Sequence, residues 1–413
     1  MKIVGGTYAE RVTVPAHEDD ASGSGMRAAG ALGPGTAELV TAIDAATAEV
    51  AEVAAATRGI ERTMIDRDEK VGFNYFTPVS DPSVDGPGAT HAPLVAEDET
   101  VLVFGMVEHG PRRVRAQRLV VDPQRPRDLT GLNLEGLTGD RLGVVANARE
   151  TSALAGGILD PARAAQQVLT RSGAEVVVVK EAGRGCLVVT EGAEPVRVGP
   201  HPTRTVWPLG SGDVFAAGFT HAWDSGADPV EAARVASNAA AWWCGTRRDR
   251  VPPEILAGVP VETLLPGAGG ELPVLERPPL IYLAAPFFTL AERWLVETCR
   301  AVLQGLGARV FSPLHDVGPG GDEVAAGDLD GLRDSDAVLA LLDGWDPGTV
   351  YEVGWAHRHT LPVVGFLNGP AHEGTKMLVG TGAELHSDLS SALYRGVWAG
   401  LGHPLTAERV RPA

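Results

Sequence analysis

A set of carboxylates late in the chain is the part of this sequence best suited to covalent chemistry. Residues 336 to 356 read DAVLALLDGWDPGTVYEVGWA. The apolar half has the composition of a buried strand, DGWDPG punctuates it, and a helix follows with Glu352 in its first turns. The positive end of a helix macrodipole favours an ionised carboxylate there. Beside an anomeric carbon, such a carboxylate can attack an oxocarbenium-like centre while a second carboxyl handles the proton. Asp328 and Asp346 are the candidate second carboxyls, and the plainer alternative is that all three acids serve as helix caps and solvated loops. A second constellation, WPLGSGD from Trp207 to Asp213, precedes the helical run Val214 to Asp224. Glycines ahead of a helix let backbone N–H groups face an anion, and an aspartate in that turn can take the proton of a hydroxyl attacking a phosphoryl group. A plain N-cap is again the alternative.

Elements that would hold these residues are legible as alternating apolar runs. Val101–Val107, Arg118–Val121, Leu142–Ala146, Val176–Val179 and Cys186–Thr190 read as strands, with helical spacing over Asp160–Ser172 and Asp228–Cys244. Such alternation predicts a largely parallel α/β sheet. Residues 62–80 alternate polar and apolar, as a small two-sided sheet would. The run PGAGGELPVLERPP, 266–279, is rich in Pro and Gly and predicts a linker between domains at 1–265 and 280–413. Beyond it the rhythm resumes: strand Leu280–Ala284, helix Thr289–Gly305, strand Ala308–Ser312, a helix ending over Asp328–Asp334, strand Ala337–Leu342, helix Val350–His359 and strand Leu361–Phe366. That is a doubly wound sheet with ligands expected at the carboxyl ends of its strands.

The bulk numbers limit the partners. The chain has 413 residues, a length that favours two domains. Its formal charge of -18 argues against non-specific binding to nucleic acid or anionic membrane. Cys186, Cys244 and Cys299 show no metal spacing and fit structural thiols in a reducing cytoplasm. No apolar run is long enough for a signal peptide or a membrane span.

Four spaced motifs in the last third act together: YLAAPFF from Tyr282 to Phe288, FSPLHD from Phe311 to Asp316, GDLDGLRDSD from Gly327 to Asp336, and the DPGTVYEVGWA stretch carrying Glu352. In this order they resemble the nucleoside 2-deoxyribosyltransferase family, over most of residues 280–367. The resemblance implies a flavodoxin-like doubly wound domain without a cofactor, in which Glu352 attacks the anomeric carbon and forms a glycosyl-enzyme intermediate. Asp328 would contact the leaving base and donate its proton, and Asp346 would sit near the base or orient the nucleophile. Tyr282, Pro286, Phe287, Phe288, His315, Gly348 and Met377 would complete the substrate pocket. Two positions depart from the family pattern: Ala285 stands where a glycine is usual, and GTKML, Gly374 to Leu378, lacks the usual asparagine. Relatives of this fold hydrolyse nucleoside monophosphates, so hydrolysis and base exchange both stay open.

In the first 265 residues, GSGDVFAAGF (Gly210 to Phe219), NARE (Asn147 to Glu150) and VVVVKEAGRGC (Val176 to Cys186) together resemble the ribokinase-like, phosphofructokinase B-type carbohydrate and nucleoside kinases. This implies a three-layer α/β/α domain with residues 62–80 as a small lid sheet. Asp213 would be the catalytic base and Gly210, Ser211 and Gly212 the anion hole. Asn147 and Glu150 would lie near magnesium and phosphates, Glu150 acting on the ion through water, with Lys180 and Gly183 also at the ATP site. Here too positions depart: Arg27 stands where a substrate-binding asparagine is usual, Glu10 lies near the place of a sugar-binding aspartate, and Trp207-Pro208 replaces Asp-Thr. The expectation is a bifunctional nucleoside or nucleotide enzyme, ATP- and Mg²⁺-dependent in its first half, forming a homo-oligomer. A nucleotide-sensing regulatory protein with an inactive kinase-like half is the alternative.

Overall fold

The computed structural model describes residues 1–413 apart from 125–131, 319, 370–372, 408 and 411–413 and the side chains of 409 and 410. Two compact units emerge. The first comprises Met1–Glu181, Gly185–Val198 and Pro208–Pro266; the second comprises Ala182–Arg184, Gly199–Trp207 and Gly267–Ala413.

The first unit contains β1 (Lys2–Val4), β2 (Tyr8–Val12), β3 (Glu18–Ser22), α1 (Ser24–Leu32), β4 (Glu38–Ile43), α2 (Ala48–Arg58), β5 (Glu61–Asp66), β6 (Gly72–Tyr75), β7 (Ser83–Asp85), β8 (Leu94–Phe104), β9 (Arg112–Asp122) and β10 (Leu137–Asn147). After these come α3 (Ala148–Leu154), α4 (Pro161–Ser172), β11 (Val176–Lys180), β12 (Cys186–Thr190), β13 (Val196–Val198), α5 (Ser211–Asp224), α6 (Pro229–Thr246) and α7 (Pro253–Leu256). Nine strands form one sheet in the order β13-β12-β11-β10-β9-β8-β1-β4-β5, parallel from β5 to β11 and antiparallel at β12 and β13. A separate four-stranded sheet runs β3-β2-β6-β7. The expectation that residues 62–80 make the small sheet is therefore corrected. Residues 61–66 form the edge of the main sheet, and the small sheet joins β6 and β7 to β2 and β3, whose polar sequences YAERV and EDDAS carry no strand signal.

Strands β8, β9 and β10 each run eleven residues, longer than their apolar runs suggested. They pair in parallel from Leu94↔Arg112 to Phe104↔Asp122, with only residues 105–111 between β8 and β9. A straight strand of that length spans roughly 33 Å, and the connection can return at most about 29 Å. The strands therefore bend. Pairing is interrupted at Glu99, Gln117 and Asp140, one position in each strand. Residue parity agrees: Leu94 and Ala96 share one core with Val101 and Val103, and Val114 and Ala116 share it with Leu119 and Val121, although along a straight strand even and odd positions face opposite sides. The first arms of these arches thus share one core with α3 and α4, through Leu154, Ala165 and Val168.

The second unit contains β14 (Leu280–Ala284), α8 (Leu290–Gly305), β15 (Arg309–Phe311), α9 (Ala325–Asp334), β16 (Ala337–Leu341), α10 (Pro347–Arg358), β17 (Val363–Phe366), α11 (Thr375–Gly380), β18 (Glu384–His386), α12 (Leu389–Gly400) and β19 (Arg409–Val410). Its sheet is parallel throughout, ordered β15-β14-β16-β17-β18-β19, the flavodoxin-like arrangement expected. Strand order reverses between β14 and β16, which opens a crevice at their carboxyl ends. Residues 266–279 are not a free tether: Gly269 and Leu272 N–H donate to the carbonyls of Pro202 and Pro200, and Glu271 accepts from Gly199 N–H.

Helix starts follow local chemistry. Thr289 and Glu292 form a capping box ahead of α8, satisfying two N–H groups that the helix cannot. Thr289→Ala is expected to lower the unit's unfolding free energy by about 1 kcal/mol, read from a urea melt. Helix α10 begins three residues earlier than the apolar pattern suggests, because Asp346 caps it and Pro347 takes its first position. Among the described residues no helix is long and apolar enough to cross a membrane.

Candidate active sites

In the second unit the crevice holds Tyr282 from β14, Phe311 from β15, Asp328 from α9 and Glu352 from α10. Tyr282 is fully buried and its hydroxyl donates to Glu352 Oε1 at 2.7 Å. The Tyr282 ring stacks on Phe311 with centroids 5.4 Å apart, which fixes the direction of that hydroxyl. Gly331 lets α9 come close: a Cβ there would lie 2.2 Å from the Phe311 ring. One turn earlier on α9, Asp328 has a buried Oδ1 with no hydrogen-bond partner among the described residues. Asp346 accepts from Thr349 N–H at 2.7 Å and Thr349 Oγ1 at 3.0 Å and works as the α10 cap.

Electrostatics correct one sequence inference. The helix N-terminus was expected to keep Glu352 ionised, yet burial pushes its carboxyl up to about 7; the Tyr282 hydrogen bond opposes this, and Asp328 and Asp346 add to it. Desolvation outweighs the dipole because Glu352 sits beyond the first turn, where the dipole has faded. Burial also raises the Asp328 carboxyl, and it moves the Tyr282 hydroxyl well up, with Glu352 adding to that.

The remaining sequence candidates divide. Pro286 is buried just after β14. Phe287 stacks on Phe288 at 5.4 Å, but Phe288 is 71% exposed, and Met377 on α11 is 64% exposed. His315 is turned toward Glu297 and Ser312, at 2.9 and 3.1 Å, rather than toward the carboxylates. Gly348 is exposed in the first turn of α10, where a Cβ would lie 3.1 Å from Asp346 Oδ2. Phe311, in the FSPLHD motif, is not among the pocket residues that the resemblance implies, yet it stacks under Tyr282.

In the first unit Gly210, with φ 85°, leads into α5, and Ser211, Gly212 and Asp213 form its first turn. Lys180, at the end of β11, reaches across this helix start: a Cβ on Gly212 would lie 3.3 Å from its Nζ. Its Nζ donates to Asp122 Oδ2 at 2.5 Å. Asp122 is fully buried, its Oδ1 has no partner among the described residues, and burial raises its carboxyl to about 7 against the opposing charge of Lys180. Asn147 and Glu150 bind one another as a capping box for α3, with each side chain accepting from the other's N–H. Burial raises Glu150 as well. Asp213 is buried, and both its oxygens are held: Arg27 Nε donates to Oδ2 at 2.8 Å and Gln124 Nε2 to Oδ1 at 2.6 Å.

Gly183 lies in the second unit. Its carbonyl accepts from Trp398 Nε1 at 3.0 Å, and a Cβ would lie 3.3 Å from Val397, so it packs on α12. Asp122 and Gln124 went unseen in the sequence. Asp122 had a signal, an acid closing the apolar run RLVV as Asp343 closes LALL, whereas Gln124 had none. Among the described residues no three His, Cys, Asp or Glu side chains group to hold a metal. The Glu150 carboxylate, with Oε2 accepting from Asn147 N–H, suits a magnesium ion that would arrive with nucleotide phosphates and be met through water.

These are two α/β units, each presenting carboxylates at the start of a helix beside the carboxyl ends of parallel strands. Residues 143–255 match the pfkB family carbohydrate kinase model, and residues 281–384 match the nucleoside 2-deoxyribosyltransferase model. The ribokinase-like and deoxyribosyltransferase resemblances hold over those two stretches. No curated protein matches the chain. Among solved structures, adenosine kinase from Sinorhizobium meliloti is similar at 16% identity and a TM-score of 0.48, over 62% of this chain and 97% of that one. Ribokinase from Thermotoga maritima aligns at 18% identity and a TM-score of 0.45, over 62% and 97%. The tetrameric inhibited form of phosphofructokinase-2 from Escherichia coli aligns at 17% and 0.45, over 62% and 98%.

Proposed function

We propose that the second unit cleaves or exchanges the N-glycosidic bond of a nucleoside, with Glu352 as nucleophile. The observation that carries this is the Tyr282–Glu352 hydrogen bond in a crevice shared with the unpartnered Asp328 oxygen. A Glu352 oxygen forms a bond to C1′ as the C1′–N bond breaks, and its electron pair leaves on the base nitrogen. Asp328, whose carboxyl burial raises and whose Oδ1 has no other partner among the described residues, gives that nitrogen a proton. Water, or a second base, then attacks C1′, gives its proton to the Asp328 carboxylate, and releases Glu352 as the C1′–O bond breaks. Charge favours an uncharged nucleoside over its 5′-monophosphate. Three carboxyls crowd the site, while Lys376 pairs with Glu373 and Arg293 donates to the Phe287 carbonyl. Incubating the full chain with nucleosides, deoxynucleosides and their monophosphates and separating free base by chromatography tests the reading; no base release from any of them sinks it.

The attacking carboxylate must be ionised, so base release is expected to climb about tenfold per pH unit below pH 7 and level off above it. Tyr282→Phe removes the bond that favours the ionised form, so the midpoint moves upward. The variant loses about tenfold below the midpoint and recovers one to two pH units above it. A pH–rate profile that does not move on this substitution contradicts the role of Tyr282.

For the first unit we infer ATP-dependent phosphoryl transfer to a sugar or nucleoside hydroxyl, with the α5 N-terminus and Lys180 receiving phosphate and Asp213 as base. Magnesium bound with ATP would neutralise phosphate charge, with Glu150 holding its waters. The engaged state of Asp213 favours a second reading, nucleotide binding without turnover. ATP binding by calorimetry, set beside ADP formation lost in Asp213→Ala, separates the two.

A further inference from the structure

We infer that Arg27 is a built-in plug of the first unit's site, its guanidinium bridging the carboxylate of Asp213 to Glu10 and Ser22 on the small sheet, and that removing it opens the site to an acceptor hydroxyl. This rests on the phosphoryl-transfer reading above and adds a control to it. Arg27 Nε donates to Asp213 Oδ2 at 2.8 Å. NH1 donates to Glu10 Oε2 at 2.5 Å and Ser22 Oγ at 3.0 Å, and NH2 donates to Glu10 Oε1 at 3.0 Å. Four of its five N–H groups are thus used inside the protein, and Arg27 and Glu10 side chains are each under a tenth exposed.

The stem obstructs as well as the head. A Cβ on Gly210 would meet Arg27 Cδ at 2.3 Å and Nε at 2.4 Å, so the side chain lies directly over the glycine that opens the anion-binding turn. One side chain therefore covers the base and the turn together. An acceptor hydroxyl must hydrogen-bond to an Asp213 oxygen to lose its proton, and Gln124 already holds the other one. Glu10 is on β2 and Ser22 on β3, paired antiparallel strands of the small sheet. Arg27 is thereby tied to both strands, as well as to Asp213. Its hold is a forked contact with Glu10, the arrangement arginine makes best.

The test uses the full chain. Wild type, Arg27→Asn and the double variant Arg27→Asn/Glu10→Gln are compared for ATP binding by calorimetry and for ADP formation with a panel of free pentoses, hexoses and nucleosides. The double variant guards against misfolding, since it removes both charges of the buried pair. Either variant is expected to gain about tenfold or more in acceptor-dependent ADP formation, and adding Asp213→Ala is expected to abolish the gain. ATP binding by all three with no gain overturns the plug alone. A fall below wild type overturns it too, making Arg27 a participant, and so does a gain that survives loss of Asp213. Failure of every protein to bind ATP overturns the nucleotide-site reading and the plug with it.

Discussion

Glu352→Gln is expected to reduce base release by about 10⁴-fold or more at pH 8, where the wild-type carboxylate is ionised. The amide has nearly the same shape, and its carbonyl still accepts the Tyr282 hydroxyl, so the crevice keeps its packing. What disappears is the ability to form a bond to C1′. Loss of a covalent nucleophile removes the route itself, which is why the expected effect exceeds that of losing a proton donor. The measurement is initial rate of free-base formation at saturating nucleoside, with substrate binding followed separately. A variant that keeps a tenth or more of the wild-type rate assigns the chemistry to another group.

The largest expected effect on stability lies in the first unit, at Arg67. Its guanidinium is completely buried between two buried carboxylates, donating to Asp44 Oδ2 at 2.7 Å and Glu108 Oε1 at 3.0 Å. It also donates to the carbonyls of Thr7 and Ala42, while Tyr8 donates to the other Glu108 oxygen at 2.7 Å. The cluster ties the chain leaving β1, β4, β5 and β8 into one knot with the first strand of the small sheet. Arg67→Met leaves two carboxylates in the interior without a counter-charge. It is expected to destabilise the unit by about 3–5 kcal/mol, seen as a marked fall in its urea midpoint. Adding Asp44→Asn and Glu108→Gln should restore part of the loss, because the cost comes from the orphaned charges and not from the missing stem. A single variant as stable as wild type would mean those carboxyls take up protons or water without penalty.

Legibility differed between the two units for physical reasons. In the second, strands are short, buried on both faces and continuous in apolar residues, and helix starts carry their caps, so pattern and structure agree within a few residues from β14 to β17. Motif order put Tyr282 and Glu352 in one pocket, but the hydrogen bond between them was not foreseen. What sequence could not supply was depth: how far Glu352 lies from water decides its charge, and the dipole argument alone gave the wrong sign. In the first unit the run Leu94–Ala96 is short and closes on the acids Glu97 to Glu99, and Arg112–Gln117 holds three arginines, so neither extended the strands read from Val101 and Arg118. They are strands because one side of each is covered by the same chain folding back. The small sheet was half missed because its strands β2 and β3 hold charges that only tertiary contacts satisfy, Glu10 with Arg27 among them. Gln124 shows the remaining limit, since its bond to Asp213 joins residues far apart in the chain, which no local pattern encodes.

The arches carry a consequence for how this chain acquires its shape. Parallel neighbours usually wait for a long excursion through a helix, so their pairing closes late and slowly. Here β8 finds β9 after seven intervening residues, and the ordering entropy lost on closing so small a loop is modest. This patch can assemble as an early nucleus, giving β1 and β10 a ready edge on either flank. The polypeptide would then build its large sheet outward from the middle, with its amino-terminal strand joining a template laid down by residues synthesised after it.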